Sequence, residues 1–246
     1  MSSTCKPSVN NGVRGKCTHA GVFCRERHYK FRPGETVLIE YSSDFPYYLA
    51  FYYLIRAVRR EGIPVLIDDI GDTLSRYAFA LETSGIETSF LNDEGVYVIK
   101  IGGKRNIGNV SGRIGIESDF YVHNLEYSRV FENILCQKDF FVNFVLGFDT
   151  RLLMTPNPRD RFSFLVSKLH YLGNERRVAF YFVNSDVISG YTWEREYLRE
   201  MVTSLVQLER DGEQYVVRVV KSPDYDAIGS FNLPKETLIR LIRGEG

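Results

Sequence analysis

Short runs of apolar, largely β-branched residues alternate with longer amphipathic stretches along most of this chain. Thr36–Tyr41 (TVLIEY), Pro64–Asp69 (PVLIDD), Gly95–Ile101 (GVYVIKI), Phe140–Leu146 (FFVNFVL) and Arg177–Val183 each read as a buried strand. A strand covered on both faces needs no polar alternation. Helical patterns fill the intervals at Tyr47–Arg60, Asp72–Thr83, Leu125–Gln137, Arg159–Tyr171 and Trp193–Met201. Ser42-Ser43-Asp44-Phe45-Pro46 offers hydroxyl and carboxylate caps followed by a first-turn proline, and Gly62 and Gly85 end the first two helices. Ser204–Glu209 and Tyr215–Lys221 flank Asp211-Gly212, a hairpin signal, and Pro234–Arg243 closes the chain as a helix. Strands alternating with helices predict an α/β fold around a mostly parallel sheet, with a C-terminal antiparallel hairpin at its edge.

The globular pattern begins at Arg32-Pro33-Gly34. Residues 1–30 have no period of either kind and read as a basic tail, leaving residues 31–246 as one α/β domain. The tail carries Cys5, Cys17 and Cys24 with His19 and His28, but no CxxC pair that would bring zinc ligands together, so scattered free thiols are the simpler reading. The 246 residues are 44% apolar and 25% charged, too apolar for a disordered chain. No apolar run approaches the roughly 18 residues of a membrane helix, and the N-terminus lacks the apolar core of a secretory signal. The expectation is a cytoplasmic protein without membrane contact. The formal charge is zero, but it is unevenly spread: residues 1–33 carry +6, 34–99 carry −7, 100–113 carry +4 and the remainder −3. Two basic segments therefore keep a polyanion partner in view.

In α/β folds ligands bind beyond the carboxyl ends of the strands. Three places there carry candidate chemistry. Ser42, Ser43 and Asp44 lead into the first helix; the loop has neither the glycines nor the lysine of a phosphate cradle, so these residues are either a redirected ligand loop or plain helix caps. Asp68 and Asp69, with Asp72 nearby, end the second strand, and such a pair can act as a general base or hold magnesium, or can cap the following helix. Asp149, shortly after FFVNFVL, is a further carboxylate, so Asp69 and Asp149 are the weak metal candidates. Gly102, Gly103, Lys104, Arg105 and Arg113 form a glycine-rich basic loop whose amides could make an anion nest, although no GxGxxG occurs. The aromatic helix Tyr47, Tyr48, Phe51, Tyr52, Tyr53 and Cys136 read as core or contact residues. No nucleophile–base set assembles from four histidines, and no cofactor follows from these residues.

Taken in order, RPGETVLIEYSS (Arg32–Ser43), GIPVLIDDIGDTL (Gly62–Leu74), IGGKRNIGNVSGRI (Ile101–Ile114) and VLGFDTRLL (Val145–Leu153) resemble the RecA/KaiC-type ATPase core. More specifically, they resemble a small family of uncharacterised archaeal proteins related to it. The resemblance spans Phe31 to about Leu233 and implies a three-layer RecA-like fold of the P-loop NTPase kind. It places Ser42–Pro46 where that core has its P-loop, which is absent here. It puts Asp68 and Asp69 at the acidic pair and Asp149 near the magnesium-associated acid. It puts Lys221 on the strand that presents a basic residue to a neighbouring subunit's nucleotide, with Ser222-Pro223 in place of the usual arginine.

The leading expectation is a non-catalytic RecA/KaiC-like binding or assembly module that has lost ATP binding at the phosphate loop. The relatives' side-by-side assembly implies a homo-oligomer, and a peptide or protein partner is equally compatible. An unorthodox nucleotide-dependent enzyme using Asp68/Asp69 and the Lys104/Arg105 loop is one alternative. A nucleic-acid-binding regulator using the tail and that loop is another.

Overall fold

The structure, a computed structural model, describes residues 31–116, 120–135 and 138–242. The tail and Cys136 lie outside the described residues. The strands are β1 (Thr36–Tyr41), β2 (Val65–Ile70), β3 (Val96–Ile101), β4 (Val110–Ile114), β5 (Phe141–Leu146), β6 (Arg177–Asn184), β7 (Ser204–Asp211), β8 (Gln214–Lys221) and β9 (Gly229–Leu233). They form one sheet in the order β4-β3-β2-β5-β6-β1-β7-β8-β9. The pairings from β4 through β7 are parallel, and β7-β8-β9 is an antiparallel meander.

Helices cover both faces. On one side α1 (Tyr47–Arg60) and α2 (Thr73–Thr83) pack Phe51, Leu54, Ile55, Leu74 and Tyr77 against Val37, Ile67, Val98, Phe144 and Phe180. On the other, α3 (Phe120–Leu135), α4 (Phe148–Leu153), α5 (Pro158–Ser167) and α6 (Thr192–Met201) pack Tyr127, Phe148, Phe164 and Leu198 against Leu38, Leu66, Ile99, Val145 and Tyr181. α7 (Lys235–Ile242) adds Leu238 to a small third cluster beside α1. Every residue of β1, β2 and β5 is buried, which is why those strands read as uninterrupted apolar runs. The mixed α/β, mostly parallel architecture with antiparallel C-terminal strands is the one the pattern predicts.

The elements differ from expectation where the signal is short or alternating. β4 lies inside the glycine-rich loop, and β9 (GSFNL) follows the hairpin; both are edge strands with alternating exposure and little apolar content. α4 is too short to show a period. α3 begins at Phe120 and not at Leu125. The helix expected over Arg159–Tyr171 is α5 followed by a tighter 3-10 turn at Lys168–Tyr171. In the aromatic helix Phe51 alone of the five rings is fully buried; the tyrosines are partly buried, with Tyr48 OH accepting from Ser84 Oγ and Tyr52 OH accepting from Arg56.

Candidate functional site

The parallel strands all end at one edge, so the segments after β1, β2, β3, β5 and β6 line up there. Two constellations occupy this edge, and a third runs along one face of the sheet from Asp68 back to the start of β6.

The first lies after β1. Ser42 Oγ donates to Asp44 Oδ1 at 2.6 Å, and the Ser43 amide donates to Asp186 Oδ2, beyond the end of β6, at 2.7 Å. Asn184 Nδ2 lies 3.1 Å from Ser43 Oγ. Neither Ser43 nor Asp44 caps α1: its N-cap is Pro46, with no side-chain cap bond. Asp149 is buried a short way along the edge; its Oδ1 accepts from the Thr150 amide at 2.7 Å and its Oδ2 from the Asn184 amide at 3.1 Å. It thus ties the end of β6 to the start of α4.

The second constellation joins β2 and β3. Successive side chains of a strand point to opposite faces, so adjacent Asp68 and Asp69 part company. Asp69 is fully buried on the α1 and α2 side, directly opposite Lys100 in the parallel register. Lys100 Nζ donates to Asp69 Oδ2 at 2.5 Å and also to Asp72 Oδ1, while Asp69 Oδ1 accepts from the Leu74 amide at 2.8 Å, near the start of α2. Asp72 has φ +63° and turns its carboxylate towards the glycine-rich loop, where the amides of Lys104 (2.9 Å) and Arg105 (2.9 Å) donate to it. Burial alone would raise the Asp72 pKa, but the Lys100 ammonium and the two amides outweigh it and hold the group down at about 2. Gly102 and Gly103 both have positive φ, and a Cβ at Gly103 would stand 2.5 Å from Asp72 Oδ1. The carboxylate that these loop amides hold is the chain's own Asp72. The side chains of Lys104 and Arg105 are exposed, and Arg113 bonds Asn106 Oδ1 within the loop.

The third is on the opposite face. Asp68 Oδ2 accepts from Tyr127 OH at 2.9 Å and from Asn143 Nδ2 at 3.1 Å, and Arg177 Nη1 donates to Asn143 Oδ1 at 3.0 Å. Lys221 stands apart from all of these. It pairs with Leu205 at the start of β7, the opposite edge of the sheet, and its Nζ donates to the carbonyls of Arg199 (3.3 Å) and Glu200 (3.0 Å) at the end of α6. Among the described residues no group of three or more His, Cys, Asp or Glu is arranged to hold a metal ion. No helix among them is long and apolar enough to cross a membrane.

Sequence reasoning missed Lys100 as the partner of Asp69, and Asp186 as the acid facing the β1–α1 loop. Lys100 had a signal, because it occupies the fifth position of a six-residue strand as Asp69 does in its neighbour.

The family described as "Pyrococcus protein of unknown function, DUF257" matches residues 28–232. The chain belongs to that family. This DUF257 chain is 32% identical to a solved structure from Pyrococcus horikoshii OT3, described as a structural study of Project ID PH0250. The match covers 81% of this chain and 92% of that one, with a TM-score of 0.68. A KaiC-like protein, PH0186, from the same organism is similar at 11% identity, covering 87% of this chain and 92% of that one, with a TM-score of 0.59. That second likeness shows the fold alone: this DUF257 chain has the KaiC-like, RecA-type architecture. None of the curated proteins matches it.

Proposed function

We propose that this chain is a non-catalytic RecA/KaiC-like binding or assembly module whose β1–α1 loop binds no nucleoside triphosphate. The observation that carries this reading is the Ser43 amide, which donates to the Asp186 carboxylate at 2.7 Å. Phosphate cradles work by aiming free amides and a lysine at the anion. Here the loop has no glycine or lysine, an amide already serves a carboxylate, and Asp44 and Asp186 both stand at the loop. A phosphate at about 4 Å from one such carboxylate would be repelled by about 4 kcal/mol at an effective dielectric of about 20. Further support comes from Asp69, Asp149 and Lys221, whose charged atoms are committed to partners within the chain. The exposed rings of Phe162 and Trp193, side by side with centroids 6.0 Å apart, support a protein partner, because aromatic residues are enriched in interfaces.

Thermal melts with millimolar MgATP test this. A ligand at one hundred times its Kd adds about 2.7 kcal/mol, roughly 5–11 °C for a chain of this size. The expected shift is absent; a shift of that order, or phosphate release lost in Asp69→Asn, overturns the reading.

One observation favours a second reading, nucleic-acid binding. Asp72 pins the backbone of the basic loop while leaving Lys104 and Arg105 exposed. Affinity for an oligonucleotide should then fall steeply with salt and weaken in Lys104→Ala/Arg105→Ala; no salt dependence refutes it.

A further inference from the structure

Between the sheet and α3, α4 and α5 lies a cavity of about 30 Å³, lined by Asp68, His123, Arg151, Lys168 and Arg177 among others. That is room for about two to three water-sized groups. It sits on the face of the sheet opposite α1 and α2, so it is separate from the Asp69–Lys100–Asp72 cluster. A cavity that stays empty in a core is apolar; this one places three cationic side chains around a single carboxylate.

Two buried atoms on its walls lack hydrogen-bond partners among the described residues: Asp68 Oδ1 and His123 Nδ1. Both residues are 4% exposed. A buried polar atom without a partner costs about 1–3 kcal/mol, so two lining the same cavity point to something that fills it. The electrostatics narrow what that is. Burial pushes the Asp68 pKa up, and the hydrogen bonds from Asn143 and Tyr127, with the Arg177 and Lys168 charges behind them, only partly oppose it. Burial, with Lys168 and Arg151 close by, pushes His123 down to about 4, so its ring is neutral at pH 7. Burial also lowers Lys168, to about 8, although Asp68 pulls it the other way. The walls therefore present an excess of positive charge, which calls for an anion, together with acceptor atoms, which call for a hydroxyl donor.

We propose that this cavity binds a compact oxyanion of three oxygens, one of them a hydroxyl, of the hydrogencarbonate class. Its charged oxygens face Lys168, Arg151 and Arg177, and its O–H donates to Asp68 Oδ1 or His123 Nδ1. Among these five residues Lys168 alone is not fully buried, and it marks the side from which a small ion enters.

The test uses the full chain in anion-poor buffer at constant pH and ionic strength. Sodium hydrogencarbonate, sodium phosphate, sodium formate and sodium nitrate are each added, with thermal melts and calorimetry as readouts. The proposal expects saturable stabilisation by hydrogencarbonate and none by phosphate, which is too large, or by formate or nitrate, which lack the hydroxyl at neutral pH. Lys168→Met, at a half-buried position that tolerates change, should weaken binding about tenfold or more, the loss expected for one charge-assisted contact. Asp68→Leu combined with His123→Phe gives the second variant; it removes both acceptors and is expected to abolish the preference for hydrogencarbonate over formate and nitrate. An equal response to all four salts is a general salt effect and overturns the proposal. So does the absence of any response, which would leave a water-filled cavity, or a Lys168→Met chain that binds as the native one does.

Discussion

Lys100 is 1% exposed and is the cation that Asp69 meets across the β2–β3 ladder. Replacing it by methionine keeps the length and apolar stem of the side chain but leaves the fully buried Asp69 carboxylate with only the Leu74 amide. Removing one member of a buried pair typically costs about 3–5 kcal/mol, because the remaining charge is neither solvated nor paired. For a chain of this size that is roughly 6–20 °C in melting temperature. Asp72 limits the relief available, since it loses the same ammonium and keeps only the Lys104 and Arg105 amides. Asp69→Leu combined with Lys100→Met should recover much of the loss, because apolar side chains of similar size replace buried pairs at little cost. Urea unfolding of the two single variants and the double variant measures the coupling directly. A Lys100→Met cost below about 1 kcal/mol, or additive single costs, would refute the assignment of Asp69 to a structural ion pair.

Other consequences can be measured on the same chain. Gly103→Ala should destabilise by at least about 2 kcal/mol, since it combines a left-handed backbone with a Cβ 2.5 Å from a carboxylate that cannot move. Gly85→Ala, where φ is +82° but nothing lies within 4 Å, should cost only about 1 kcal/mol. Arg199→Met removes two donors to the buried Glu40 carboxylate, at 2.6 and 2.7 Å, leaves only Gln207 Nε2 at 3.2 Å, and should cost about 2–4 kcal/mol in chemical unfolding. His123 titrates at about 4 when folded against an ordinary 6.5, so the unfolded chain binds its proton first. The stability it confers is complete above pH 6.5 and declines as pH falls towards 4, by roughly 3 kcal/mol in all. Acid unfolding of His123→Leu should therefore be shallower across that window; an unchanged slope would contradict the assignment.

The central strands were legible because burial on both faces writes itself as apolar runs such as FFVNFVL. The lack of glycine and lysine at Ser42–Pro46 was equally legible, being a matter of which residues stand there. Edge strands were not. VSGRI in β4 and GSFNL in β9 bury too little to leave a pattern. The fate of the acids was illegible for a different reason. Whether Asp69 is a base or an ion-pair partner depends on the register that sets it against Lys100, 31 residues away. The glycine-rich loop could be read as an anion nest or as a solvated loop, and the carboxylate its amides meet, Asp72, comes from a separate turn. The cavity beside Asp68 draws its walls from eight different elements, with Lys168 a hundred residues along the chain, and no local spacing announces such a set.

The central claim is that the β1–α1 loop of this KaiC-like fold holds no nucleotide. Calorimetric titration of MgATP into the full chain tests it most directly. The account predicts no saturable heat up to about 1 mM nucleotide, a concentration at which a Kd in the micromolar range, about −8 kcal/mol, would be evident. Saturable one-to-one binding that is lost when Ser43 is replaced by proline, which removes the amide facing Asp186, would contradict it.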